Sequence, residues 1–113
     1  MTERVKRALL SMQRRDWEHG VAAQAFLEAG DKDIAVAMAV EGANRQEPNG
    51  RCCQVDASNG VTDPCAIGEA LIFACEQTGD PFLCAARDKL LHWALVDAPR
   101  TDKGIVHHFS HDA

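Results

Sequence analysis

Three groups of residues carry the chemistry open to this chain, and the first is the carboxylate of Asp63 in Thr62-Asp63-Pro64. An Asp followed by Pro is a helix-start signal, because the carboxylate accepts first-turn N–H groups and the proline sits where its missing N–H costs nothing. Such a cap contributes about 0.5–2 kcal/mol, and bonds from backbone N–H groups favour the charged form of a carboxylate, which suits orienting a substrate better than donating a proton. The second group is Trp17-Glu18-His19-Gly20, at the join between a basic stretch and an apolar one. It reads either as an aromatic and an imidazole facing a cavity, or as a junction with Trp17 in the core and His19 exposed. The third group is His107, His108 and His111 with the cysteines 52, 53, 65, 75 and 84. No C-x-x-C occurs, Cys52 and Cys53 are adjacent, and the His-x-x-x-His of 107 and 111 lies in a tail of weak helical signal, so no metal site is expected. The cysteines are odd in number and irregularly spaced, which fits reduced thiols better than a disulfide framework. Cys65 has no histidine near it in sequence to act as its base, which argues against thiol catalysis.

Helices must position these groups. From Thr2, a plausible N-cap, Val5, Ala8, Leu9 and Met12 recur at helical spacing. A second helix sets Trp17, Val21, Ala22, Ala25 and Phe26 on one side and ends at Gly30; a third, capped by Asp31 or Asp33, carries Ile34, Ala35, Met38 and Ala39. Residues 45–62 contain the turn signals Pro48-Asn49-Gly50 and Ser58-Asn59-Gly60 and no sustained period, so they form the one long loop. A fourth helix starts at Asp63-Pro64 with Ile67, Ala70, Leu71 and Ala74 inward and ends at Gly79. A fifth starts at Asp80-Pro81 with Leu83, Ala86, Leu90 and Trp93-Ala94 inward and stops before Pro99. The corners at Gly30-Asp31 and Gly79-Asp80 are tight αα-hairpins. The expectation is an all-α chain of stacked antiparallel hairpins in a single domain over 1–113, with hairpin one at about 2–44, a loop at 45–62, hairpin two at about 63–98 and an irregular tail at 99–113.

The bulk numbers agree and exclude several classes of function. With 113 residues the chain is long enough for one compact domain. Its apolar content, 46%, rests on Ala, Leu and Val with only 5% aromatics and no tyrosine, which favours close helix packing over a sheet. A net charge of −5 provides no general attraction for phosphate backbones or anionic membranes. The one basic cluster, Arg4, Lys6, Arg7, Arg14 and Arg15, is interrupted by Glu3, Asp16 and Glu18 and reads as a solvated face, not a nucleic-acid site. No apolar run reaches the roughly 20 residues that span a bilayer and no signal-peptide core is present, so the expectation is a cytoplasmic protein without membrane or nucleic-acid partners.

Four segments in order resemble one family. They are Met12-Gln13-Arg14-Arg15-Asp16-Trp17-Glu18-His19-Gly20-Val21; Asn44-Arg45-Gln46 with Gly50-Arg51; Thr62-Asp63-Pro64 with Gly68-Glu69-Ala70; and Ala98-Pro99-Arg100-Thr101 with Gly104 and His107-His108-Phe109. Together they are similar to the unsaturated uronyl hydrolases, glycoside hydrolase family 88 and its relative family 105. The resemblance implies an (α/α)6 toroid of which this chain would be the first third. The implied substrate is an oligosaccharide ending in an unsaturated uronic acid, and no cofactor is implied. In that family an aspartate protonates the C4=C5 double bond and activates water that adds at C5, and the resulting hemiketal collapses.

Carried over by position, Asp63 with Gly68 matches one active-site aspartate, although Ile67 stands where the family often has Asn. Trp17 and His19 would line the sugar cleft, the indole stacking on pyranose carbons, and His108 would be a basic substrate contact. The family's second aspartate lies in a Trp-x-Asp tract that this sequence lacks; Asp112 has no such context and does not take the role. The chain is therefore expected to be incomplete and inactive or weakly active. The alternative is a helical-hairpin module that binds a partner or itself through an apolar flank left bare at its C-terminal end.

Overall fold

The computed structural model describes residues 1–56 and 59–109. These form five α-helices, α1 (Glu3–Met12), α2 (Asp16–Glu28), α3 (Lys32–Asn44), α4 (Gly68–Thr78) and α5 (Pro81–His92), with a 3-10 turn at Asp63–Cys65 and a π-helical turn at Trp93–Asp97. The chain is all-α, as its composition and periodicity predict. Among the described residues the only β pairing is two isolated bridges, and no helix is long and apolar enough to cross a membrane.

Local signals account for most of the boundaries. Thr2 caps α1 through its Oγ1, which accepts from Val5 N–H at 3.3 Å, and Asp80 caps α5 by accepting from Phe82 N–H at 2.9 Å. Gly30 and Gly79 end α2 and α4 with φ of 84° and 65°, the left-handed conformation that only glycine adopts without strain. Asp31 occupies the N-cap of α3 without capping it. Its carboxylate instead takes Lys6 Nζ at 3.0 Å, and Lys6, beside Asp31 and Glu3, holds its proton more tightly than an ordinary lysine.

Helices α2 to α5 pack each against the next, and their small side chains make this possible. Ala22, Ala23 and Phe26 of α2 meet Ala35, Met38 and Ala39 of α3. Ile67, Leu71 and Ala74 meet Leu83, Ala86 and Leu90 of α5 within the same core. Burying a side chain such as Leu71 contributes about 1.5–3 kcal/mol. The loop is part of this core, not draped over it. Cys53 N–H donates to Gly42 O at 3.0 Å, Gln54 N–H to Arg45 O at 3.1 Å, and both Cys52 and Cys53 are fully buried. The expected turn at Pro48-Asn49-Gly50 forms, with Gly50 N–H on Glu47 O at 2.9 Å. A side chain at Gly50 would collide with Lys89 O.

Three sequence expectations are corrected here. Cys75 and Cys84 form a disulfide across the Gly79 corner, with Cα atoms 4.8 Å apart; the sharp turn between antiparallel helices places the two side by side in a way their spacing does not reveal. Cys52, Cys53 and Cys65 are free thiols. The apolar stripe of α1 exists but buries nothing fully, because α1 stands off from the rest. In α2 the buried set is His19, Gly20, Ala22, Ala23 and Phe26, while Trp17 and Val21 stay about half exposed.

Candidate functional site

Asp63 lies in a segment that four distant parts of the chain hold in place. Arg51 Nη1 donates to Gly60 O at 3.0 Å and Trp93 Nε1 to Val61 O at 3.0 Å, while Val61 N–H donates to His108 O at 2.9 Å. Arg51 is itself fixed by Glu47, with Nη2 2.6 Å from Oε2, and its guanidinium lies 5.7 Å from the Trp93 ring centroid. On the other side the backbone of Ala66 and Ile67 presses against Gly20 of α2, where an added Cβ would meet Ala66 C at 2.4 Å and Ile67 N at 2.6 Å. Gly20 is thus required for contact, not for conformation.

Asp63 is half-buried, and its role differs from the capping expected of it. It sits inside the 3-10 turn, its carbonyl accepting from Ala66 N–H at 3.1 Å, and α4 begins only at Gly68. The N-cap position belongs to Thr62, whose side chain makes no cap hydrogen bond.

The tail is a folded turn. Thr101 N–H bonds Ile105 O at 2.8 Å, Gly104 N–H bonds Thr101 O at 2.9 Å, and His107 N–H bonds Pro99 O at 2.9 Å, which returns the chain to pair at Gly60–Val61. Arg100 ties the start of this turn to the end of α5 by donating to Ala98 O at 2.9 Å and Ala94 O at 2.5 Å. His108 is exposed, its ring 4.3 Å from that of Phe109. His107 keeps a buried Nδ1 without a hydrogen-bond partner among the described residues. The structure therefore brings the Asp63 and His108 segments together.

Trp17 and His19 are elsewhere. Trp17 lines an open groove between α1 and α2 with Val5, Ala8, Leu9, Met12 and Val21, a space of about 330 Å³ that Asp63 does not line. His19 is fully buried and cannot touch a sugar in this fold. Its Nε2 is 2.7 Å from Met38 O and its Nδ1 3.4 Å from Arg45 Nη2. A guanidinium has no acceptor, so Nδ1 accepts and Nε2–H donates to Met38, and the ring joins α2 to α3. The junction reading of this tetrapeptide, Trp17 in the core and His19 exposed, is inverted: the indole is outside and the imidazole inside, because α1 leaves the Trp17 side of α2 uncovered.

The free cysteines are poor nucleophiles. Burial pushes the Cys52 thiol up to about 12 and raises Cys53 and Cys65 as well, in each case chiefly by desolvating the thiolate. A cavity beside Cys53, lined by Arg15, Asp16, Gln54, Val55 and Asp56, holds about 30 Å³, room for a water and not for a sugar. Among the described residues no three His, Cys, Asp or Glu side chains converge as a metal shell would; His111 and Asp112 lie outside the described residues.

Sequence reasoning missed Arg51, Trp93 and His107 as partners of the site. Arg51 and Trp93 reach it through Gly60 O and Val61 O, and His107 through the pairing of residues 60–61 with 108–109; no local signal announces these contacts. What the arrangement offers chemically is one accessible carboxylate on a rigid turn with an exposed imidazole on the adjoining segment, groups that can bind polar ligands and exchange protons. Comparison with family models, with curated proteins and with solved structures returned no match.

Proposed function

We propose that this chain recognises the unsaturated uronic-acid end of an oligosaccharide, with Asp63 as the reacting carboxylate and His108 as the basic contact for the sugar acid. The observation that carries the reading is the Val61–His108 backbone bond. It joins His108, in one of the segments that resemble the uronyl hydrolases, to the residue directly before another, Thr62-Asp63-Pro64, although the two are far apart in sequence. On this reading the helical hairpins belong to an (α/α)6 arrangement, and the reaction is hydration. A proton is delivered to C4 of the C4=C5 bond and a water hydroxyl adds at C5. The C5 hemiketal then collapses, the ring opens, and the attached sugar leaves as its alcohol. Asp63 holds and delivers the proton or orients the water, and Arg51 and Trp93 act only by fixing the turn that carries it. His19 has no part in binding, and Trp17 enters only if the sugar chain extends to the α1–α2 groove. Disulfides such as Cys75–Cys84 persist mainly in oxidising compartments, so the proposal carries no cytoplasmic location.

The test is incubation of the protein with an unsaturated glucuronyl disaccharide while the ultraviolet absorbance of the conjugated double bond is followed. A slow loss of absorbance, as befits a chain with one of the family's two aspartates, that disappears in Asp63→Asn with an unchanged melting temperature is expected. No loss in the wild type, or a rate unaffected by Asp63→Asn, removes the proposal.

A further inference from the structure

The covalent link between α1 and α2 is Gln13-Arg14-Arg15, and it carries two adjacent arginines. Both are exposed, the Arg15 side chain to 64%. Gln13 and Arg15 already hold an extended backbone, with ψ of 140° and 163°, the conformation in which a peptide lies along the groove of an endoprotease. Subsites lined by carboxylates recognise paired guanidinium groups through charge-assisted hydrogen bonds. The bonds the two side chains make here, Arg14 to Ser11 O and Gln13 O and Arg15 to Asp56, are surface contacts that such subsites can replace. The helix beyond the link is also expendable to the fold. No residue of α1 is fully buried, and what ties it down is Lys6 Nζ on Asp31 at 3.0 Å and the partly buried Leu9.

We propose that Arg14-Arg15 is a processing site, at which an endoprotease specific for paired basic residues cuts after Arg15 and releases α1. The step is a hydrolysis. The C–N bond between Arg15 and Asp16 breaks, and water supplies a hydroxyl to the Arg15 carbonyl carbon and a proton to the Asp16 nitrogen. The fold directs the cut to this bond. Among the twelve Lys and Arg residues the other adjacent pair is Lys6-Arg7, which lies within α1 with Lys6 held by Asp31 and Glu3. Lys103 is exposed but stands alone, in a turn closed by the bonds of Thr101 N–H to Ile105 O and Gly104 N–H to Thr101 O. A protease groove takes more residues than the link provides. The last turn of α1, where Met12 is 71% exposed, and the half-exposed Trp17 supply them by local opening, against the single exposed bond from Arg15 N–H to Glu18 Oε1 at 2.9 Å. Once cut, α1 is a ten-residue helix, too short to persist alone, so it leaves and the groove beside Trp17 loses one wall. The Cys75–Cys84 disulfide persists mainly in oxidising compartments, where endoproteases of this class act. The inference is independent of the carbohydrate reading, since it uses none of Asp63, His108 or their partners.

The test is digestion of the folded full chain with a subtilisin-like endoprotease that requires two basic residues before the scissile bond, followed by intact-mass spectrometry and gel filtration. A single cut is expected, giving residues 1–15 and 16–113, which separate on the column. The 16–113 species should keep its helical circular dichroism and melt within about 4 °C of the intact chain, since α1 adds little to the core. Arg14→Gln should slow the cut at least about tenfold, the worth of one charge-assisted contact, and Arg15→Gln should abolish it. Both side chains lie at the surface, so each variant should melt with the wild type. A first cut at any other bond overturns the proposal, as does a folded chain left intact under conditions that digest the unfolded one. So does a rate indifferent to Arg14→Gln, a segment 1–15 that stays bound through gel filtration, or a 16–113 species that unfolds.

Discussion

Two glycines at helical positions, Gly20 and Gly68, should respond to the same substitution with opposite signs. An alanine Cβ at Gly20 would stand 2.4 Å from both Ala66 C and Ala66 Cβ and 2.6 Å from Ile67 N, so backbone and not a pliable side chain must move. Overpacking costs typically about 1–3 kcal/mol, and the higher helix propensity of alanine returns about 1 kcal/mol. With backbone on the far side the clash falls at the upper end, and the net loss is about 2 kcal/mol. At Gly68 the nearest atom to an added Cβ is Leu90 Cδ2 at 4.0 Å, an ordinary contact. Gly68→Ala should therefore stabilise by up to about 1 kcal/mol through propensity and a less flexible unfolded chain. At roughly 4 °C per kcal/mol for a domain of this size, Gly20→Ala should melt about 8 °C below the wild type and Gly68→Ala up to about 4 °C above it. Differential scanning calorimetry reads both. Equal shifts of one sign, or a Gly20→Ala protein as stable as the wild type, would refute the contact between α2 and the turn that carries Asp63.

Reducing the Cys75–Cys84 bond, or replacing both cysteines by serine, should lower stability by about 2–3 kcal/mol, the loop-closure entropy of a ring of this length. Urea unfolding with and without reductant would measure it. The free thiols make stability fall on the alkaline side. Cys52 keeps its proton in the fold up to about 12 but loses it near 9.0 when unfolded, so the unfolded chain binds fewer protons between those values and stability declines as pH rises through that window. Unfolding measured from pH 8 upward should show the decline, and Cys52→Ala should reduce its slope. His19→Ala should cost about 2–4 kcal/mol by opening a cavity and leaving Met38 O without its side-chain donor, whereas a surface histidine would cost almost nothing.

What the sequence shows and what it conceals divide along sequence distance. Asp80-Pro81, Gly79, Gly30 and the stripe Ile67, Ala70, Leu71 and Ala74 are local signals, and each element they mark is present, although α4 begins at Gly68 and not at Asp63-Pro64. The face that α2 buries is not a local matter. Its composition permits either Trp17 with Val21 or His19 with Gly20 to turn inward, and the choice falls to Gly20 because only a glycine admits the Ala66 backbone. The same holds for Asp63: Thr62-Asp63-Pro64 reads as a helix cap, yet the bonds from Arg51, Trp93 and His108 fix the segment as a separate turn. The Cys75–Cys84 pair depends on how sharply α4 and α5 fold back, which no count of cysteines contains.

The proposal that Asp63 and His108 form one binding site is tested most directly by two-dimensional amide NMR during titration with an unsaturated uronyl disaccharide. The account predicts shifts concentrated at residues 60–66 and 107–109, lost in Asp63→Asn. No shifts, or shifts confined to the groove lined by Met12, Trp17 and Val21, would contradict it.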